Sequence, residues 1–364
     1  MTSLPVINQL QQNIINNVQK GFPLVARPYQ SIANMLAGEK NDGEFSDITE
    51  TSIFNAIEAL NSKGIISRIG PVFDHKKAGA STLAALAVPT DELDKVAGIV
   101  NQFEQVNHNY GRESYAQKEN YNLWFVVTAS DMVALKSTLT NIELQTGLPV
   151  LILPMEASYH IDLAFSINIT GQESPVITKT DNIEQEHFLG DPKLSAAEQN
   201  NLRKAIEKGL PLALNPYLVI AQSLGILEVQ VLTQIAQWQH EGLIRRFGLV
   251  VKHRKLGYDA NAMVVWNIKN TDIDNIAPKL AKCAAVSLCY QRPRRFPDWP
   301  YNLFCMIHGT DRAVVIQQIH DITEQLQLQH INKDILFSFK AYKQHGARYL
   351  QKRQKSPLTK LKQG

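Results

Sequence analysis

A tyrosine and an arginine two residues apart occur twice in this 364-residue chain, as Tyr110 and Arg112 in "VNHNYGRESY" and as Tyr290 and Arg292 in "VSLCYQRPRR". Both stretches read as strands, and residues two apart on a strand share one face. Such a pair suits a carboxylate, because the guanidinium grips it in a fork and the phenol adds a hydrogen bond. Histidines accompany the pairs unevenly. His75 in "DHKKAG" is matched by His253 in "KHRKLG", whereas His108 becomes Leu288 and Thr128 becomes His308. Two copies under one demand are expected to keep the same acid, so the mismatch predicts two unequal clefts, one chemical and the other mainly structural. Arg68, Arg245, Arg246, Arg294 and Arg295 are further carboxylate candidates, although "RPRRFPDWP" reads equally well as a solvated loop.

The elements that must position these residues are themselves repeated. "KGFPLVARPYQSIANML" from Lys20 returns as "KGLPLALNPYLVIAQSL" from Lys208, and "GIISRIGPVFDHKKAG" from Gly64 returns as "GLIRRFGLVVKHRKLG" from Gly242. "YNLWFVV" at Tyr121 returns as "YNLFCMI" at Tyr301. Order and spacing are both kept, which marks an internal duplication. Apolar residues three and four apart predict short helices in "PYQSIANML" and "TETSIFNAIEALNSKG", the second stopping at Gly64. A β segment follows, then strands, helices and strands in the order βαββαβ, ending on "PVLILPMEA" as one strand. This predicts an α+β chain: a winged helix-turn-helix followed by a ferredoxin-like sandwich, twice, with the two sheets paired as a pseudo-dimer. The expected divisions are 1–64, helix-turn-helix; 65–167, first sandwich; 168–194, polar linker; 195–242, second helix-turn-helix; 243–345, second sandwich; and 346–364, tail.

Bulk composition narrows the class. At 44% hydrophobic the chain can bury more than one core, and no apolar run approaches the roughly 18 residues of a membrane span. The start "MTSLPVINQLQQNIINN" lacks a basic region followed by an apolar block, so no secretion signal is expected. Cys283, Cys289 and Cys305 form neither an even framework nor a CxxC pair, which fits reduced thiols in the cytoplasm. The net charge of +3 hides an asymmetry: eight Lys or Arg and no Asp or Glu lie from Lys340 onward, leaving a body of 29 basic and 34 acidic residues. A basic tail reads as solvated chain or as a contact for an anion.

The duplicated outline resembles the Lrp/AsnC regulators, which read DNA through the helix before the wing. Here that helix is poorly suited. "ETSIFNAIEALNSK" offers Glu50 and Glu58 against Lys63 at its end, and "LEVQVLTQIAQWQHE" holds two glutamates and no Lys or Arg. Such surfaces repel phosphates, so the front ends read as scaffold and no specific DNA binding is expected.

The wording "HNY-x-R…YNLWF" and "HRKLGY-x-ANAMVVW…CY-x-RP…WPYNLF-x-MIHG" is more particular. From about Leu4 to Tyr349 it resembles the siroheme decarboxylases of heme d1 and alternative heme biosynthesis, in a form with both subunits fused. The resemblance implies non-oxidative loss of two acetate carboxyls from siroheme, giving 12,18-didecarboxysiroheme and carbon dioxide. It implies no cofactor, since the iron travels with the substrate. It implies proton donors near neutral pH, for which histidine is suited. His108, with His75 or His253 from the facing half, is the expected donor set, and Arg112 the expected carboxylate grip. Tyr110, Arg68, Arg245, Arg246, Tyr290, Arg292 and His308 are secondary substrate contacts. Axial ligation of the substrate iron is an alternative role for one histidine. A regulator or a tetrapyrrole carrier on the same scaffold are the rival readings, and a further pairing of two chains is compatible with either. No membrane contact is expected.

Overall fold

The computed structural model describes residues 7–38, 47–116, 120–161 and 193–350. The first half runs α1 (Gln9–Val18), α2 (Pro28–Ala37), α3 (Glu50–Ser62), β1 (Ile66–Phe73), α4 (His75–Ala78), β2 (Ala80–Leu86), α5 (Leu93–Asn101) and β3 (Val106–Ser114). It continues through β4 (Leu123–Ala129), α6 (Met132–Thr146), β5 (Leu151–Leu153) and β6 (Ala157–Ile161). The second half runs α7 (Ala196–Glu207), α8 (Pro216–Leu224), α9 (Glu228–His240), β7 (Ile244–Val251), β8 (Ala260–Trp266) and α10 (Ile273–Ala281). β9 (Val286–Gln291), β10 (Leu303–Gly309), α11 (Arg312–Gln325) and β11 (Lys333–Gln344) complete it.

The front ends form where the local chemistry asks for them. α2 and α8 each begin on a proline, whose fixed φ suits the first helical position. Thr49 caps α3 by accepting from the Ser52 amide at 3.2 Å. Gly64 and Gly242 follow α3 and α9 at φ 67° and 70°, a conformation that glycine adopts without penalty. β1 and β7 then pair antiparallel about Gly70 and Gly248. Ile14, Ile57 and Leu60 from one copy share a core with Leu202, Ile235 and Phe247 from the other. Both wing strands pack with the joint helix-turn-helix body, and the large sheet begins after them. Residues 168–192 of the expected linker, and 351–364 of the tail, lie outside the described residues.

A nine-stranded sheet links the two sandwiches in the order β5-β2-β4-β3-β11-β8-β10-β9-β6. Each half contributes the 4-1-3-2 order of a βαββαβ unit. β11 is long enough to pair with β8 and then cross to β3. The matching segment of the first half does not remain one strand. Pro154, which has no amide hydrogen to donate, stands at its break, and the chain divides into β5 beside β2 and β6 beside β9. The order thus begins and ends on neighbouring stretches of chain, and the sheet curls into a ring. Its interior mixes the halves: Trp124 packs on Trp299 at 5.1 Å between ring centroids, and Trp299 on Tyr301 at 5.0 Å.

Candidate active site

The first cleft lies where β3 of the first half meets β11 of the second. His108 stands opposite Gln344, Tyr110 opposite Ala341 and Arg112 opposite Ser338. Alternation puts the three side chains on one face: the rings of His108 and Tyr110 lie within 13° of parallel, and Arg112 sits over the Tyr110 ring at 5.7 Å. The Tyr110 hydroxyl approaches His108 Nδ1 at 3.5 Å. The second half adds a single 3-10 turn, His253–Leu256, from which Arg254 Nη1 donates to Ser338 Oγ at 3.1 Å. It also adds His308 of β10, paired with Asn261 of β8. Asn261 Nδ2 donates to the Tyr258 carbonyl, which turns its Oδ1 toward His308 Nδ1 at 2.5 Å. Neutral His308 accordingly carries its proton on Nδ1 and presents a basic Nε2.

Charge in this cleft is one-sided. Burial lowers His108 to about 4, with His345 and Arg68 adding to the effect. Burial lowers His253 to about 3, helped by His308 and Arg246, and His308 to about 4, helped by Arg112. The guanidiniums respond likewise: burial brings Arg68 down to about 10, with Arg246 and Arg348 contributing. Arg112 also falls to about 10, through burial first and Arg254 among its neighbours. Asp259, 3.5 Å from Arg254 Nε, is exposed. Imidazoles held neutral among cations make this site electrostatically suited to a polyanion.

The second cleft repeats the construction with different side chains. Arg292 lies over Tyr290 at 5.6 Å, as Arg112 does over Tyr110. Arg292 Nη1 donates to the Leu153 carbonyl at 2.6 Å, and Arg112 Nη1 to the Leu336 carbonyl at 3.0 Å. Each arginine thus ties the closing strand of the ring to its neighbour, which gives the recurrent pair a structural reason. Leu288 stands at the His108 position and Thr128 at the His308 position. Arg245 Nε donates to Asp74 Oδ2 at 2.6 Å, and Asp74 also accepts the amides of Lys76 and Lys77 as the cap of α4. Burial alone would raise the Asp74 carboxyl, but Arg245 and the two amides bring it below its ordinary value. A cavity of about 610 Å³ opens on this side, lined by Lys76, Ser81, Pro154 and Arg203 among others. In the repeat, Lys76 and Ser81 match Arg254 and Asn261 of the first cleft.

The sequence-derived candidates therefore separate. His108, Tyr110, Arg112, His253 and His308 come together, with Arg68 and Arg246 within electrostatic reach. Tyr290, Arg292 and Arg245 belong to the second cleft. The backbone of His75 opens α4, but its side chain lies outside the described residues. Arg294 is spent on Asn267, Asn270 and the Pro300 carbonyl, and Arg295 on the Ile152 carbonyl. "RPRRFPDWP" is accordingly no simple solvated loop: Trp299 is fully buried. Sequence reasoning missed Arg254, which the repeat could have found as a cation kept opposite Lys76, and Asn261. It also missed His345, the last residue of the expected second sandwich.

Paired wings, a shared ring sheet and one cationic, histidine-bearing cleft define an enzyme-like derivative of the Lrp/AsnC architecture. Comparison with known proteins agrees. The family model "Siroheme decarboxylase NirDL-like HTH domain" matches residues 11–66 and 201–245, and "AsnC-like ligand binding domain" matches 77–160 and 255–343. The siroheme decarboxylase NirDL subunit of Paracoccus pantotrophus is 34% identical over 342 residues, covering 94% of this chain and 97% of the relative. The NirL subunit of Stutzerimonas stutzeri is 49% identical over 156 residues, covering 43% of this chain and 92% of that subunit. A crystal structure of siroheme decarboxylase NirDL with an iron-uroporphyrin III analogue superposes with a TM-score of 0.61 at 24% identity, covering 94% and 95% of the two chains. The chain belongs to the siroheme decarboxylase family.

Proposed function

We propose that this chain is a carboxy-lyase that converts siroheme to 12,18-didecarboxysiroheme and two carbon dioxide molecules, and that the first cleft performs both steps. The observation that carries the reading is the grouping of His108, His253 and His308 with Arg68, Arg112, Arg246 and Arg254, while the second cleft has Leu288, Thr128 and a neutralising Asp74. A pyrrole acetate loses carbon dioxide only if its bonding electrons have a sink. Protonating the ring carbon creates one. The carbon–carbon bond then breaks, its electrons flow into the ring, and a proton delivered to the exocyclic carbon makes the methyl group. The ring proton departs, so each carboxylate consumes one proton and yields one carbon dioxide.

The electrostatics of the cleft suit this sequence. Burial and the neighbouring cations keep the imidazoles neutral, and a bound polycarboxylate would reverse the local field. Anionic neighbours favour imidazolium, so substrate binding itself would arm the proton donors. Arg112 and Arg254 flank Tyr110 and are placed to orient the peripheral carboxylates, and burial of the reacting carboxylate favours its departure as neutral gas. No resident cofactor is required, since the iron enters with the macrocycle. The front ends serve as scaffold rather than DNA reader: the Arg27 guanidinium already pairs with Glu50 at the start of α3. No single helix among the described residues is long and apolar enough to cross a membrane, and we place the reaction in the cytoplasm. The fused halves supply an internal pseudo-heterodimer, so one chain contains a complete cleft.

Anaerobic incubation with siroheme, followed by mass spectrometry, tests the reading. Two successive losses of carbon dioxide are expected. Unchanged siroheme would overturn the assignment, and a spectral shift without mass loss would identify a carrier instead.

A further inference from the structure

The basic stretch after β11 divides into two parts. Residues 351–364 lie outside the described ones, but residues 345–350 are built into the fold. The His345 amide donates to the Asn107 carbonyl at 2.9 Å, which extends the β11–β3 ladder one step past the Gln344–His108 pair. His345 Nδ1 lies 2.9 Å from the Gly346 carbonyl, an acceptor only. The neutral ring therefore carries its proton on Nδ1 and keeps a basic Nε2. Gly346 lies flat on Arg68: a Cβ there would stand 2.4 Å from the guanidinium carbon, so any side chain would displace that cation. The Arg348 carbonyl then accepts from Thr128 Oγ1 at 3.2 Å. The residue that replaces His308 in the second cleft is thus spent on holding this segment.

The far end is anchored in the helix-turn-helix body. Tyr349 is 3% exposed and joins the core of the paired front ends. Its amide donates to Glu207 Oε1 at 3.2 Å. Glu207 in turn lies 3.8 Å from Arg203, its i−4 neighbour on α7. Gly79 completes the seat, since a Cβ there would lie 2.9 Å from the Tyr349 ring. Between the two ends, His345 and Arg348 lie within electrostatic reach of each other and of Arg68, and His345 within reach of His108. Arg348 lies within reach of the Arg68 cation and of the Glu207 carboxylate, and the neutral His345 beside it leaves the space they face suited to a further anion. The first copy has no counterpart, because its sequence after Ile161 reads "DLAF" where the second reads "HGAR".

We infer that residues 345–349 form a fixed wall of the reaction cleft, in which His345 contacts the bound tetrapyrrole through Nε2 and Arg348 binds one of its carboxylates. This rests on the proposed function and assigns two further substrate contacts, with Tyr349 as a positioning residue. It also gives the helix-turn-helix pair a task in catalysis: its core receives the anchor.

The test uses the full chain with siroheme for turnover and iron-uroporphyrin III for binding. Stopping the chain after Leu350 is expected to leave both within about two-fold, since the wall is intact. His345→Ala and the gentler His345→Gln are expected to slow turnover by about 100-fold, the lower range for loss of a proton-handling group, and to change the shape of the pH profile. Arg348→Ala is expected to weaken iron-uroporphyrin III binding by about ten-fold, the loss of one charge-assisted contact, with little change in kcat. Tyr349→Ala should release the anchor and slow turnover, and the conservative Tyr349→Phe should restore it, because the ring fills the core and the backbone amide makes the bond to Glu207. A wild-type chain that ignores both tetrapyrroles would sink the proposed function. A wild-type chain that turns over siroheme, while both His345 variants and Arg348→Ala match it, would sink this inference alone.

Discussion

The two clefts share strands, a tyrosine–arginine pair and a ring-closing hydrogen bond, yet His108 and His308 of the first have no histidine counterpart in the second. Where the first has His108, the second has Leu288; where the first has His308 on Asn261, the second has Thr128 beside Ser81. Lys252 precedes the first cleft's turn, and Asp74 precedes the second's. That last exchange matters because a buried carboxylate absorbs Arg245, whereas Asp259, which pairs with Arg254 in the first cleft, is exposed. Duplication made two sites of one shape. Keeping the Tyr–Arg frame preserved the ring, while His108 and His308 stand on one side without a histidine counterpart on the other.

The comparison is broken most severely by removing a proton donor. His108→Ala should slow siroheme turnover by about 100- to 10,000-fold, read by loss of substrate mass, whereas Leu288→Ala should stay within about two-fold. Equal effects would make the clefts equivalent. Next in size is the interior both clefts share. Trp299 is fully buried against Trp124 and Tyr301, so Trp299→Ala should cost about 3–5 kcal/mol in denaturant unfolding.

Smaller effects sharpen the contrast. Asp74→Asn removes the buried partner of Arg245, whose side chain is 37% exposed. Screening at that exposure reduces the loss to about 1–2 kcal/mol, with turnover retained. In the first cleft, protonation should follow ligand. His108 and His308 titrate near 4 in the empty cleft, below the ordinary 6.5. A base whose folded value is depressed binds fewer protons folded than unfolded between those two values. Stability of the empty protein is therefore full above about 6.5 and declines as pH falls toward 4. The groups facing these rings are His345 and Arg68 at His108, and Arg112 and His253 at His308, so a polycarboxylate ligand should raise the imidazole values. Calorimetry with iron-uroporphyrin III in buffers of different ionisation enthalpy should report net proton uptake near neutrality, and affinity should weaken as pH rises. Proton release on binding would contradict the field described for the cleft. The smallest effect concerns the front ends, where duplex DNA binding should be negligible at physiological salt.

Much of the scaffold was legible in the sequence because repetition doubled each signal. Gly64 and Gly242 marked both helix ends, and the matched βαββαβ order forecast the two sheets. The division of "PVLILPMEA" at Pro154 was harder to read, since what divides it is the partner available on each side, β2 before the break and β9 after it. The partner of β1 was likewise not legible locally: among the described residues it pairs with β7 of the other copy. Within the site, His108, Tyr110 and Arg112 could be grouped from strand alternation alone. Recurrence of Tyr290 and Arg292 suggested carboxylate binding, whereas both arginines also bond main-chain carbonyls of the closing strands, a demand invisible without the topology. His345 escaped because local sequence cannot say that Tyr349 is anchored in a core assembled 140 residues earlier.

The claim that one cleft performs both decarboxylations is tested most directly by single-turnover mass spectrometry of His108→Ala against the unmodified chain. The unmodified chain should remove both carboxyls in sequence, and the variant should remove neither. A variant that still converts siroheme fully to the mono-decarboxylated species would show that the second cleft has chemistry of its own, and would contradict the account.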